Sequence, residues 1–181
     1  PADAVLFVGS SSIRLWNTHD GFPDYPLINR GFSGAHISDV LYYYDRVIKK
    51  YQPQLIVFYA GDNDVAAGKS AEQVCNDFIK LYTLVQNDQP ATKVVFLTIK
   101  PSLSRWIYWE EMQKTNILIE NYARGNLNLS IVDVATPLLG REGYPDACLF
   151  TTDSLHLNEE GYTRWEKVLH PVLEKLTSRT R

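Results

Sequence analysis

Five short polar segments hold the residues of this chain that are able to do covalent chemistry. They are Ser10–Ser12, the stretch Gly31–His36, GDND at 61–64, KPSLSRW at 100–106 and DSLH at 153–156. Between them they supply hydroxyls, an imidazole with a carboxylate close by, several glycines, and an asparagine that can donate hydrogen bonds. Serine is a poor nucleophile until a base takes its proton. Histidine is the natural base because it titrates near neutral pH. A carboxylate then fixes the tautomer and supports the imidazolium. Asp153 and His156 are three positions apart, so one turn can bring them together. Ser11 falls where a strand turns into a helix, a place where its hydroxyl and its backbone N–H can both face a substrate. Helix-start amides lack intrahelical partners, so that N–H suits an oxyanion hole. The pattern therefore points to Ser11 as nucleophile, His156 as base and Asp153 as the group behind it.

The same residues have rival uses. Asp62, Asp64, Asp153 and His156 are all able to ligate a metal, yet there is no HExxH motif and no cysteine cluster. GSSS at 9–12 is able to cradle a phosphate or flavin anion at a helix start, but that use leaves GDND and DSLH idle. No metal and no cofactor is expected. His19 and His170 lack companions of this kind, whereas His36 follows Gly34 closely enough to line a pocket.

Positioning these segments requires a particular scaffold. AVLFVG at 4–9 reads as a buried strand ending in glycine, followed by a helix over 11–17. PLIN at 26–29 is a second strand. Residues 37–50 look helical, with Ile37, Leu41, Tyr44 and Ile48 on one face. A third strand runs from Pro53 to about Tyr59. A helix follows over 70–87, capped by Ser70 and striped with Val74, Phe78, Leu81 and Val85. TKVVFLTI at 92–99, a helix over 108–124 and the strand NLSIVDV at 128–134 continue the alternation. The stretch 136–157 reads as irregular. The last helix starts near Asn158 and turns Tyr162, Trp165, Val168 and Leu169 inward. Pro171 sits where it can bend that helix, and the tail SRTR is expected to fray. Alternating helices and nearly continuous apolar strands imply an α/β fold whose parallel sheet of about five strands is covered on both faces. There is no repeat, linker or low-complexity segment, so residues 1–181 read as one domain. In such sheets ligands bind beyond the carboxyl ends of the strands, which is where the five polar segments fall.

Composition narrows the partners. The chain is 45% hydrophobic and 22% charged, with a formal net charge of −3 and no basic block, so nucleic acid is not an expected partner. Its apolar runs are too short to span a bilayer. No targeting segment precedes Ala4, which leaves both cytoplasm and export open. Cys75 and Cys148 are able to pair but do not form a disulfide scaffold. Nothing here sets the oligomeric state.

Taken in order, the motifs resemble those of the SGNH hydrolases, the GDSL-type esterase/lipase family. FVGSSSI resembles the family's first block, with Ser11 two residues after the glycine. NRGFSG resembles the second, a glycine turn, and implies that Gly34 donates a backbone N–H. GDND resembles the Gly-x-Asn-Asp block and implies Asn63 as an oxyanion donor. DSLH resembles the Asp-x-x-His block and implies Asp153 and His156 as triad members. One position departs: the aspartate usual before the nucleophile is Ser10 here, and that aspartate is not a triad member. The resemblance implies a flavodoxin-like three-layer α/β/α sandwich and hydrolysis of esters or thioesters. A binding module that has kept the fold is the non-enzymatic alternative, and it is disfavoured because no catalytic member is missing.

Substrate is read from the loops. They offer Trp16 and Asn17, His36, Arg105 with Trp106, Tyr108 and Trp109, and Tyr144. Aromatic faces beside an arginine and an amide suit a sugar or another small polar group. His36, Arg105 and Trp106 are the candidate pocket residues. No long lid is visible. The expectation is a short-acyl, acetyl-like ester of a carbohydrate-like or other small polar molecule, with a lysophospholipase or thioesterase as the alternative.

Overall fold

The structure, a computed structural model, describes residues 3–177. Its centre is a five-stranded sheet made of β1 (Val5–Gly9), β2 (Leu27–Gly31), β3 (Leu55–Tyr59), β4 (Lys93–Leu97) and β5 (Leu129–Val132). The order is β2-β1-β3-β4-β5 and every pairing is parallel. The helices are α1 (Ser11–Arg14), α2 (Thr18–Gly21), α3 (Ile37–Tyr42), α4 (Tyr44–Val47), α5 (Asp62–Ala66), α6 (Ala71–Asp88), α7 (Trp109–Ala123) and α8 (Glu159–Leu176).

Alternation along the strands divides the core in two. Leu6, Val8, Ile56, Phe58, Val94 and Phe96 face α3, α4, α6 and α7, where Val40, Tyr44, Phe78, Leu81 and Ile119 meet them. Val5, Phe7, Val57, Tyr59, Val95 and Leu97 face Trp16, Phe22, Trp165, Leu169 and Leu173 on the other side. Both faces being covered explains why β1 and β3 are buried at every position. The architecture is the three-layer α/β/α sandwich. From β1 the chain moves to β2 on one side and later to β3 on the other. The carboxyl ends of β1 and β3 therefore border the crevice where such folds bind ligands.

Several boundaries differ from the sequence expectation. The helix after β1 stops at Arg14, because Asn29 Nδ2 donates to the carbonyls of Ile13 (2.8 Å) and Trp16 (3.4 Å) and closes its end. The helix expected over 37–50 is broken into α3, α4 and a 3-10 turn at Lys49–Tyr51. Backbone outside the helical region at Tyr43 and Ile48 causes the breaks, while Ile37, Val40, Tyr44 and Ile48 stay buried across them. GDND is not a plain loop, since it opens α5. Within 136–157 there are two 3-10 turns and two isolated bridges, Leu139 with Pro145 and Phe150 with Leu157. Helix α8 runs through Pro171 without interruption, and Asn158 caps it by accepting from Gly161 N at 3.1 Å. Residues 178–181, the SRTR tail, lie outside the described residues. Cys75 is buried, Cys148 is exposed and both are free. Among the described residues no helix is long and apolar enough to cross a membrane.

Candidate active site

Ser11 is placed by the end of β1. Gly9 has φ +143°, and a Cβ there would stand 1.8 Å from the Tyr59 carbonyl oxygen, so only glycine lets β1 lie this close to β3 as the chain turns. Ser10 then donates its backbone N–H to that same carbonyl at 2.9 Å, and Ser11 becomes the first residue of α1. The side chains of the Ser10–Ser12 run part company. Ser10 and Ser12 are buried, while Ser11 Oγ lies 2.9 Å from His156 Nε2.

His156 and Asp153 come from the turn before α8. Ser154 takes a left-handed φ of 58°, which folds the DSLH segment back on itself. Asp153 Oδ2 lies 2.6 Å from His156 Nδ1. Its other oxygen, Oδ1, accepts from the backbone N–H groups of Leu155 and His156 and from the Thr151 hydroxyl, all at 2.8–2.9 Å. Desolvation pushes the Asp153 carboxyl up, but these four hydrogen bonds outweigh it and hold the group well below the usual carboxylate range. An ionised carboxylate fixed on Nδ1 keeps the proton there and leaves Nε2 to accept from Ser11. Thr151 escaped the sequence reading, because a lone threonine five residues before a histidine has no spacing signal.

The glycine turn and the GDND segment are pinned to each other. Asn63 Nδ2 donates to the Ala35 carbonyl at 3.1 Å. An amide carries two N–H bonds, and the contact to Ala35 uses one of them to orient Asn63. Gly34 has φ +70°, a left-handed conformation that suits glycine in this turn. Asp64, whose side chain is 0% exposed, accepts from Ile37 N at 3.2 Å and from Lys69 Nζ at 2.7 Å. His36 Nδ1 stands 3.6 Å from the same carboxylate. Asp64 is thus the loop pin that joins α3 to α5. Asp62 is engaged by Arg105 Nη1 at 3.0 Å.

The three candidate pocket residues each have partners of their own. His36 leans toward Asp64, Arg105 is committed to Asp62, and Trp106 stacks on Trp109 and tilts over Tyr144. Trp16 belongs to the core, packed among Phe7, Phe22, Tyr162 and Trp165 with Nε1 donating to Glu166. A cleft of about 700 Å³ opens beside His156 and Asp153. His156, Asp153, Asn17, Asp20, Thr163 and Glu166 line it together with Leu15, Leu157 and Tyr162, and none of the three candidates does. Asn17 is the one residue of this wall that the loop composition singled out. Asp20 comes from α2, which only tertiary packing brings to His156, and Tyr162, Thr163 and Glu166 come from α8, which follows the DSLH turn. Among the described residues no group of three or more His, Cys, Asp and Glu side chains is arranged to hold a metal ion.

A parallel α/β/α sandwich with a Ser–His–Asp line at the ends of its strands defines a class of serine-dependent hydrolases. Residues 14–164 match the model of the GDSL-like lipase/acylhydrolase family, and the chain belongs to that family. Hydrolysis of ester bonds is the general reaction that this membership supports. The chain is 26% identical over 158 residues to the GDSL esterase/lipase WDL1 of Oryza sativa, an alignment covering 75% of this chain and 60% of that protein. It is 26% identical over 186 residues to platelet-activating factor acetylhydrolase IB subunit alpha2 of Rattus norvegicus, covering 97% of this chain and 78% of the relative. A solved GDSL-like lipase from Bacteroides thetaiotaomicron superposes with a TM-score of 0.83 at 25% identity, covering 96% of this chain and 89% of its own.

Proposed function

We propose that this protein is a serine esterase, contained in one domain, that removes short, acetyl-like acyl groups from small polar or carbohydrate-like alcohols. The observation that carries the reading is the continuous hydrogen-bonded line from Asp153 through His156 to Ser11, at 2.6 and 2.9 Å, beside an open cleft. His156 takes the Ser11 proton as Oγ attacks the acyl carbonyl. The oxyanion is held by the N–H groups of Ser11 and Gly34 and by the Asn63 amide. Collapse transfers the proton from His156 to the departing alcohol and leaves an acyl-enzyme. Water, deprotonated by His156, then releases the acid. No step calls for a metal or an organic cofactor.

The cleft wall supports a polar alcohol. Asn17, Asp20, Thr163 and Glu166 offer hydrogen-bonding groups suited to hydroxyls, and burying a long acyl chain against carboxylates is unfavourable. The name of the mammalian relative, an acetylhydrolase, supports a short acyl group. A series of p-nitrophenyl esters of increasing acyl length tests this. The expected kcat/KM peaks at about two to four carbons and falls steeply beyond about eight, as methylenes lose a pocket to fill. A maximum at about twelve or more would replace this reading with the lysophospholipase or thioesterase one.

The oxyanion hole has its own test. Asn63→Ala should lower kcat by roughly 10²–10³, the usual consequence of losing one such donor. KM should move much less, because the bond forms mainly in the transition state. A fall in kcat of less than about threefold would remove Asn63 from the hole.

A further inference from the structure

Lys100 takes no part in the chemistry above, yet it is buried directly behind the catalytic turn. It follows β4 in the segment 98–102 and is 1% exposed. Its ammonium donates to the Leu155 carbonyl at 2.7 Å, and Leu155 lies between Asp153 and His156. The ring of Phe150 stands 5.6 Å away, and Asp62, Arg105 and Asp153 act on the ammonium electrostatically. Its backbone N–H points to the Tyr59 hydroxyl at 3.5 Å, which ties the segment to β3. Four residues on, Ser104 N donates to the Ser154 carbonyl at 3.1 Å. The chain after β4 therefore holds the DSLH turn at two adjacent carbonyls, and the stronger, charge-assisted contact comes from Lys100.

Bonds within the turn set Asp153 against His156, whereas the two contacts from the chain after β4 tie the turn to the sheet. The Asp153 side chain is 48% exposed, and the segment lies between the 3-10 turn Ala147–Leu149 and α8. A buried ammonium without a hydrogen-bonded carboxylate is itself costly, and an apolar side chain of the same length would fill the site at lower cost. Burial pulls the Lys100 ammonium down to about 8, against the attraction of Asp62 and Asp153. Core stability alone gives no reason for lysine here.

We propose that Lys100 is a positioning residue for ester hydrolysis: through the Leu155 carbonyl it fixes the Asp153–His156 turn and thereby the reach of His156 Nε2 to Ser11 Oγ. This inference rests on the serine-esterase reading, which labelling of wild-type Ser11 by a fluorophosphonate tests independently.

Lys100→Met keeps the length of the side chain and removes the donor. The expected result is a fall in kcat of about 10- to 100-fold, the effect of a small misplacement of a catalytic group. KM should stay within about threefold and the melting temperature should equal or exceed that of the wild type, since an unpaired buried charge has been removed. The downfield proton resonance of His156 Nδ1–H should shift or broaden in the variant. In the wild-type protein a through-hydrogen-bond coupling between Lys100 Nζ and the Leu155 carbonyl carbon should be detectable by NMR. A folded Lys100→Met with wild-type kcat would overturn the proposal while leaving the esterase reading intact. Absence of the coupling would overturn it as well. A Lys100→Met chain that does not fold would also overturn it, by making the lysine a requirement of the core and not of the turn.

Discussion

Replacing Ser11 with alanine should lower kcat by roughly 10⁴- to 10⁶-fold while leaving the fold in place, the scale seen when a hydrolase loses its nucleophile. Its Oγ is the only heavy atom removed, and that atom lies 2.9 Å from His156 Nε2. The remaining activity would come from the oxyanion donors and from binding alone. Ser10 and Ser12 are poor substitutes, because both are buried. Reaction with a fluorophosphonate followed by peptide mass mapping gives the complementary result. The wild-type chain should carry the label on Ser11, and Ser11→Ala should carry none. A label on another serine of the folded protein, or a variant retaining about a tenth of the wild-type kcat, would overturn the assignment.

Asp153→Asn should lower kcat by roughly 10³- to 10⁴-fold. The cause is the tautomer: an amide facing Nδ1 is able to donate there, which drives the imidazole proton to Nε2 and removes the acceptor that Ser11 needs. The lower end of the range is included because the Asp153 side chain is half exposed and water can partly replace it. Stopped-flow or steady-state kinetics across pH distinguish this from simple loss of structure. In the wild type Asp153 stays ionised through the neutral and mildly acidic range, because its hydrogen bonds hold it well below the usual carboxylate range. The sign follows from linkage. A depressed folded value adds stability above the unfolded carboxylate value of about 3.9, and that stability is lost only as pH falls through the folded value. Mild acidification should therefore leave Asp153 ionised and the fold intact. Unfolding within the mildly acidic range would contradict this. So would an Asp153→Asn variant within about tenfold of the wild type.

These effects depend on an architecture of which much was legible before any coordinates. Strict apolar runs at Val5–Val8 and Leu55–Tyr59 imply strands buried on both faces, and helical stripes such as Val74, Phe78, Leu81 and Val85 imply the layers that bury them. Strand ends in a parallel sheet all point one way, so GSSS and GDND had to converge whatever the details of packing. The Asp-x-x-His spacing is local as well. Three residues suffice for a turn, and Asp153 meets His156 through contacts within that turn.

What the sequence by itself determined, then, is the periodic and the local: the sheet, its two covers, and the short motifs at its edge. Only the tertiary structure decided which polar residues line the cleft and which are consumed in holding others. Arg105 pairs with Asp62, and Trp16, offered by the loop composition, is core. Asn17 and Glu166, 149 positions apart along the chain, meet in one cleft wall because α2 and α8 pack on the same face of the sheet. Lys100 reaches Leu155 across 55 positions. Pairings of this kind have no period and no fixed spacing. They arise when backbone and side-chain polar groups, once buried, must each find a partner, and the nearest partner is set by packing and not by order along the chain.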